Sequence, residues 1–212
     1  MTFQLAMIAT DGIVLGSDRL VSKRNPGRSN SFQSIEGPKI VQSENGMVIC
    51  AGAGGPQSAS IADAIAAKAD PAVSTLNWRT SLKAIAESIA GNSVADEILV
   101  VRREPLDLIL VNREGLIAST AVIESKVCTG VLTTSHFFTE HLWRKSTMVS
   151  MKKLAQITLA YAAKERPAEV GMGFDILFIA KEAIESFHYP AQDTEVAGLM
   201  SEFQSHTASL LF

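Results

Sequence analysis

Two dipeptides near the start of the chain do most to limit what it can fold into. Asp11-Gly12 stands between the apolar runs Phe3 to Thr10 and Ile13-Val14-Leu15. Asn45-Gly46 stands between Lys39-Ile40-Val41 and Met47-Val48-Ile49-Cys50. Asp-Gly and Asn-Gly tolerate positive φ at both central positions of a tight turn, so each predicts a β-hairpin. The opening of the chain is thereby committed to antiparallel sheet. Between the hairpins, Arg24 to Gly37 is polar and rich in Ser, Asn and Gly, which predicts a surface loop.

After Gly52-Ala53-Gly54-Gly55 the hydrophobic period changes. Ile61, Ala64, Ile65 and Lys68 fall at helical spacing up to Pro71, and Trp78, Leu82, Ile85 and Ile89 do so up to Gly91-Asn92. Strands return at Ile98 to Arg102 and Leu106 to Val111, and Glu114-Gly115 turns the chain into another from Leu116. The helical block Ser135 to Arg166 exceeds one ordinary helix, so two are expected before Pro167. Phe174 to Ala180 and Ile184 to Tyr189 read as the last strands. No internal repeat or linker interrupts this order, so residues 1–212 are expected to form one domain. Strands, helix pair, strands, helix pair, strands is the order of an α+β layered fold, with two antiparallel sheets stacked between helix layers.

Composition narrows the function classes. Hydrophobic residues make up 47% and charged residues 19%, which supports a substantial core. A net charge of −3 and a pI of about 5.8 give no electrostatic footprint for nucleic acid or an anionic membrane. No apolar run approaches the roughly 20 residues of a bilayer span, and the start lacks the basic and apolar regions of a signal peptide. Cys50 and Cys128 are the only cysteines, so a disulfide scaffold is excluded and a cytoplasmic location is expected. They read as small core hydrophobes. His136, His141, His188 and His206 match no zinc spacing, and neither a metal nor another cofactor is expected.

The residues that point to chemistry lie at the ends of the predicted hairpins. Removal of Met1 leaves Thr2 with a hydroxyl and a free α-amine. An α-amine titrates at about 7.7–8.0 and can take the hydroxyl proton near neutral pH. Asp18 ends the second strand and Lys39 begins the third, so hairpin folding can bring both to Thr2. A lysine beside the hydroxyl favours its alkoxide-like form, and a carboxylate holds the lysine. Gly52 to Gly55 lack the spacing of a phosphate loop. They read either as a tight turn or as a source of a main-chain N–H for an oxyanion, in which case the missing side chain admits substrate. Ser150-Met151-Lys152-Lys153 falls within a helical run and reads as a solvated face.

With these residues in view, the chain resembles a proteasome β-type subunit of the N-terminal nucleophile hydrolases. The resemblance rests on Thr2 to Val21, with Gly12-Ile13-Val14-Leu15-Gly16-Ser17-Asp18-Arg19, on Gly37-Pro38-Lys39-Ile40-Val41, and on Ala51-Gly52-Ala53-Gly54. It is nearest to the minimal bacterial relatives, including the β-proteobacterial proteasome homologue and Anbu. The resemblance implies a four-layer αββα sandwich and homo-oligomeric stacked rings. It implies a peptidase acting on peptides or unfolded protein, with Thr2 as nucleophile, Lys39 tuning it, Asp18 orienting Lys39 and the Gly52 N–H as oxyanion donor. Thr129 falls where the family places a serine near the N-terminal amine. The family's aspartate and serine before a Gly-rich strand start are missing from Pro167-Ala168-Glu169-Val170-Gly171, where Glu169 is the candidate substitute. Val21, Gly37, Cys50 and Gly54 fall at substrate-lining positions, and being small and uncharged they imply apolar or small residues on the acyl side of the cut bond. Two other readings stand beside a threonine peptidase: a non-peptidase amidohydrolase on the same scaffold, and a catalytically silent ring subunit. The residues specify neither ring size nor an ATPase partner.

Overall fold

The computed structural model describes residues 2–24, 32–55, 57–91 and 95–209. The chain opens with β1 (Phe3–Ile8) and β2 (Ile13–Asp18), joined at the Asp11-Gly12 turn, where Ala9 N donates to Gly12 O at 2.8 Å. A short ribbon follows, β3 (Leu20–Arg24) with β4 (Phe32–Glu36), then β5 (Ile40–Gln42) and β6 (Val48–Gly54). Helices α1 (Ser58–Lys68) and α2 (Thr75–Ser88) come next. They are succeeded by β7 (Asp96–Arg103), β8 (Leu106–Glu114), β9 (Ile117–Val122) and β10 (Lys126–Gly130). Then come α3 (Ser135–Leu142), α4 (Met148–Glu165), β11 (Phe174–Ile179), β12 (Ile184–Tyr189) and α5 (Thr194–Ser209).

Two five-stranded antiparallel sheets form among the described residues, ordered β10-β1-β2-β11-β12 and β5-β6-β7-β8-β9. Strand alternation sorts their side chains into three apolar layers. Phe3, Leu5 and Met7 of β1 pack with Phe174 and Ile176 against Met151, Ala155 and Leu159 of α4. Ala6, Ile13, Leu15 and Leu177 face Ile49, Ala51, Leu99 and Val101 between the sheets. Val48, Cys50, Ile98 and Val100 pack under Ile61 and Ile65 of α1 and Trp78 and Leu82 of α2. The result is the expected αββα sandwich. Because β1, β2, β6 and β11 are covered on both faces, they read as continuous apolar runs rather than alternating ones.

Buried charges fasten the layers. Fully buried Arg102 donates to Val73 O at 3.0 Å and Thr75 Oγ1 at 3.2 Å, at the start of α2, and pairs with Asp107. Fully buried Arg113 donates to Ile89 O at 2.5 Å and Gly91 O at 3.3 Å, at the end of α2, and pairs with Asp96. At the end of the sandwich remote from Thr2, Arg103 donates to Gly46 O, Ala180 O and Lys181 O, tying turns of both sheets together.

Four features differ from the sequence reading. The Arg24 to Gly37 segment contributes β4 and the end of β3 at its two ends, while the middle of the expected loop lies outside the described residues. Gly52 to Gly54 extend β6 and pair with β7, rather than forming the turn into α1. Lys126–Gly130 is a strand because it pairs with β1 at the sheet edge. A final helix, α5, docks on α4, with Gln156 Nε2 donating to Glu195 Oε1 at 2.9 Å and Phe203 edge-on to Tyr161.

Candidate active site

The hairpins bring Thr2, Asp18 and Lys39 together at one end of the sandwich. β1 and β2 pair from Ile8↔Ile13 to Gln4↔Ser17, so the start of one strand meets the end of the other. Asp18, only 1% exposed, is held by its surroundings on every side. Its Oδ1 accepts from Phe3 N at 2.9 Å, and its Oδ2 accepts from Leu20 N at 3.0 Å and Gly171 N at 2.9 Å. Lys39 Nζ donates to both oxygens, at 3.0 and 2.8 Å, and to Thr2 Oγ1 at 2.7 Å. An ammonium has three hydrogens, and these three contacts use all of them.

Burial pushes the Lys39 ammonium below its ordinary value, while the adjacent Asp18 carboxylate opposes the shift by charge and hydrogen bonding. A lysine shifted downward gives up a proton more readily. Its neutral form then has a lone pair 2.7 Å from the Thr2 hydroxyl and can accept that proton. Neither thiol competes for this chemistry. Burial raises the Cys50 thiol far above the physiological range and pushes Cys128 up to about 11, and a thiol needs its thiolate to act as a nucleophile.

The remaining sequence-derived residues are placed as follows. Gly52 lies in β6 opposite Ile98, and a Cβ there would stand 2.7 Å from Ser58 O in the first turn of α1. Its lack of a side chain therefore serves the close approach of helix to strand, which corrects the expectation that the space admits substrate. Thr129, 5% exposed, pairs with Gln4 and accepts from Gln4 Nε2 at 2.7 Å. Just beyond β10, Val131 N donates to Thr2 O at 2.9 Å. The Glu169 carboxylate pairs with Arg166 at 3.6 Å. The segment before β11 reaches the site through the Gly171 N–H bond to Asp18. Val21 and Gly37 adjoin each other, with Gly37 N donating to Arg19 O at 2.9 Å. Gly54 is exposed at the end of β6. Cys50 has no exposed surface, since its side chain sits in the core beneath α1, and as a lining residue it is corrected too.

Sequence reasoning missed Gln4 and Glu97. Gln4 is fully buried and donates to Glu97 O at 3.1 Å, and Glu97 Oε2 accepts from Gly130 N at 2.6 Å. An amide inside the apolar run Phe3 to Ile8 was the available signal, because a buried polar side chain must find partners. Among the described residues no cluster of His, Cys, Asp and Glu has metal-binding geometry, and no helix is long and apolar enough to cross a membrane.

Two stacked antiparallel sheets between helix layers make an αββα sandwich, the fold shared with solved structures of Anbu. A Gly-1 mutant of Anbu from Hyphomicrobium sp. strain MC1 superposes with a TM-score of 0.75 at 13% identity, covering 100% of this chain and 98% of that one. Anbu from Yersinia bercovieri, described as an ancestral β-subunit, gives 0.75 at 12% identity over 99% and 96%. A helical assembly of the Anbu complex from Pseudomonas aeruginosa gives 0.72 at 12% over 99% and 95%. No family model matches the chain, and no curated protein matches it.

Proposed function

We propose that the chain is a threonine peptidase whose nucleophile is Thr2, exposed by removal of Met1, and that it works inside a self-compartmentalised homo-oligomer. The observation that carries this reading is the 2.7 Å contact of Lys39 Nζ with Thr2 Oγ1, with Lys39 itself seated on a saturated Asp18 carboxylate. In the first step the Thr2 hydroxyl attacks a peptide carbonyl, and its proton passes to the Thr2 amine or to neutral Lys39. The tetrahedral oxyanion is stabilised by the Gly52 N–H. The intermediate collapses to an ester on Thr2 as the amine product leaves with the proton. Water, deprotonated by the same base, then hydrolyses the ester and restores the hydroxyl. Val21, Gly37 and Gly54 favour small or apolar side chains on the acyl side. The likeness to Anbu, one of whose structures is a helical assembly, supports a multi-subunit enclosure.

A panel of short fluorogenic peptides tests this reading on chains whose intact mass lacks Met1. Turnover is expected in the wild type, partial turnover in Thr2→Ser and none in Thr2→Ala, with all three assembled alike. Normal turnover in the alanine variant removes Thr2 from the chemistry. What keeps the silent-subunit reading beside it is that the family's aspartate and serine are missing from residues 167–171. A threonine-directed covalent inhibitor that leaves no adduct on fully processed protein would select it.

A further inference from the structure

The proposed nucleophile and the proposed oxyanion donor lie on different sheets. Thr2 leads β1 in one, and Gly52 belongs to β6 in the other. Most of what joins these sheets is apolar, Ala6 and Leu15 against Ala51 and Leu99. Apolar burial resists separation but has no direction. A reaction that needs its groups held to a fraction of an ångström calls for directional bonds near the site.

Such bonds converge on Glu97. It lies on β7, paired with Ala53 of β6, one residue beyond Gly52. Its carboxylate crosses to the other sheet and accepts from Gly130 N at 2.6 Å, a short charge-assisted bond. Its main-chain oxygen accepts from Gln4 Nε2 at 3.1 Å, and the same amide donates to Thr129 Oγ1 at 2.7 Å. Gly130 pairs with Phe3 and has φ +93°, and a Cβ on it would collide with the Thr2 carbonyl oxygen. The next residue, Val131, donates its N–H to that oxygen at 2.9 Å. A displacement of Gly130 is therefore passed directly to Thr2.

We infer that Glu97 is a positioning residue: through Gly130 it fixes the Thr2 end of β1 against the β6–β7 edge and so sets the spacing between the Thr2 hydroxyl and the Gly52 N–H. The catalytic half of this role rests on the peptidase reading above. Glu97 also lines a cavity of about 450 Å³ with Asn112 and Glu114. A general effect of negative charge in that cavity would be shared by Glu114, whereas the bond to Gly130 belongs to Glu97.

The test compares Glu97→Ala, Glu97→Gln and Glu114→Ala with wild type, all lacking Met1, by peptide turnover and by amide hydrogen exchange. Glu97→Ala is expected to lower kcat about 10- to 100-fold with KM within about twofold, and to speed exchange at Gly130 and Val131 by about tenfold or more. Glu97→Gln keeps an acceptor oxygen and is expected to retain both the protection and most of kcat. Glu114→Ala is expected to match wild type. Should Glu97→Ala fail to assemble, Glu97→Asp, one methylene shorter, carries the same expectations. Unchanged exchange at Gly130 in the short variants overturns the proposal. So does an equal loss of kcat in Glu97→Gln, or in Glu114→Ala. If the wild type cleaves no peptide, the peptidase reading fails on its own, and the exchange measurement still decides whether Glu97 holds Gly130.

Discussion

Asp18 is the residue on which the site depends for its shape. It takes three main-chain N–H groups and the Lys39 ammonium while itself almost fully buried. Asp18→Ala leaves those donors and a buried cation uncompensated, and is expected to cost about 3–5 kcal/mol, read by urea unfolding. A loss below about 1 kcal/mol would mean that the pocket reorganises without it. Lys39 gives a pH signature. Its folded-state value lies below its ordinary 10.5, so between the two the unfolded chain binds more protons. Its contribution to stability therefore rises with pH through that window, and the full penalty is present below the folded value. In the proposed reaction activity follows the neutral form, so the rising limb of the kcat/KM profile should begin below the range of a free lysine. Lys39→Arg stays charged, so it should lose about two orders of magnitude in rate and leave a limb set by the Thr2 amine alone. An unchanged profile in Lys39→Arg would show that Lys39 does not titrate in the reaction. Thr2, Asp18 and Lys39 were legible in the sequence because short hairpins dictate which strand ends meet. Thr129 and Glu169 were placed only by the resemblance, far from those hairpins, where no local turn dictates which segments meet. Glu97 was not legible at all, since a lone acid at a strand start does not reveal which strand of another sheet it will reach.

At the scale of elements, α2 shows how a helix is fixed from below. Its apolar stripe is short, with Trp78, Leu82 and Ala86 buried, and an arginine from the sheet binds the main chain at each end. The Arg113 cation at the C-terminal carbonyls also complements the helix dipole. Arg113→Ala is expected to cost about 3–5 kcal/mol and to speed amide exchange along the last turns of α2. The exposed Arg144→Ala should stay within about 0.5 kcal/mol. Equal effects would reduce the buried clamp to packing alone. The helices α1 and α2 were readable because their apolar periods end at Pro71 and Gly91, and α3 and α4 because the block up to Pro167 is too long for one helix. α5 was missed because its apolar residues are sparse and Gly198 interrupts them. A start signal was nonetheless present: Asp193 accepts from Val196 N at 3.0 Å, an N-cap placed shortly after Pro190. β3 and β4 were hidden by polar composition, because a ribbon outside the two main sheets has little apolar face to display.

For the whole molecule, the proposed activity turns on the removal of Met1, which lies outside the described residues. While Met1 is attached, the Thr2 nitrogen is an amide and cannot serve as a base. Chains that retain Met1 should be inert both to peptides and to threonine-directed inhibitors, and activity across preparations should track the fraction of chains lacking Met1 by intact mass. Equal rates from fully retained and fully processed protein would exclude the N-terminal amine as a base. The close seating of α1 on Gly52 has a consequence for descent. Any carbon added at Gly52 meets the Ser58 carbonyl whether or not the protein catalyses anything. A lineage that abandoned the reaction would thus go on inheriting the glycine for the sake of its helix, while the hydroxyl of Thr2 would be held by nothing more than its one hydrogen bond from Lys39. Among distant descendants of such a chain, an intact glycine would testify only to ancestry, and the threonine would tell which of them still work.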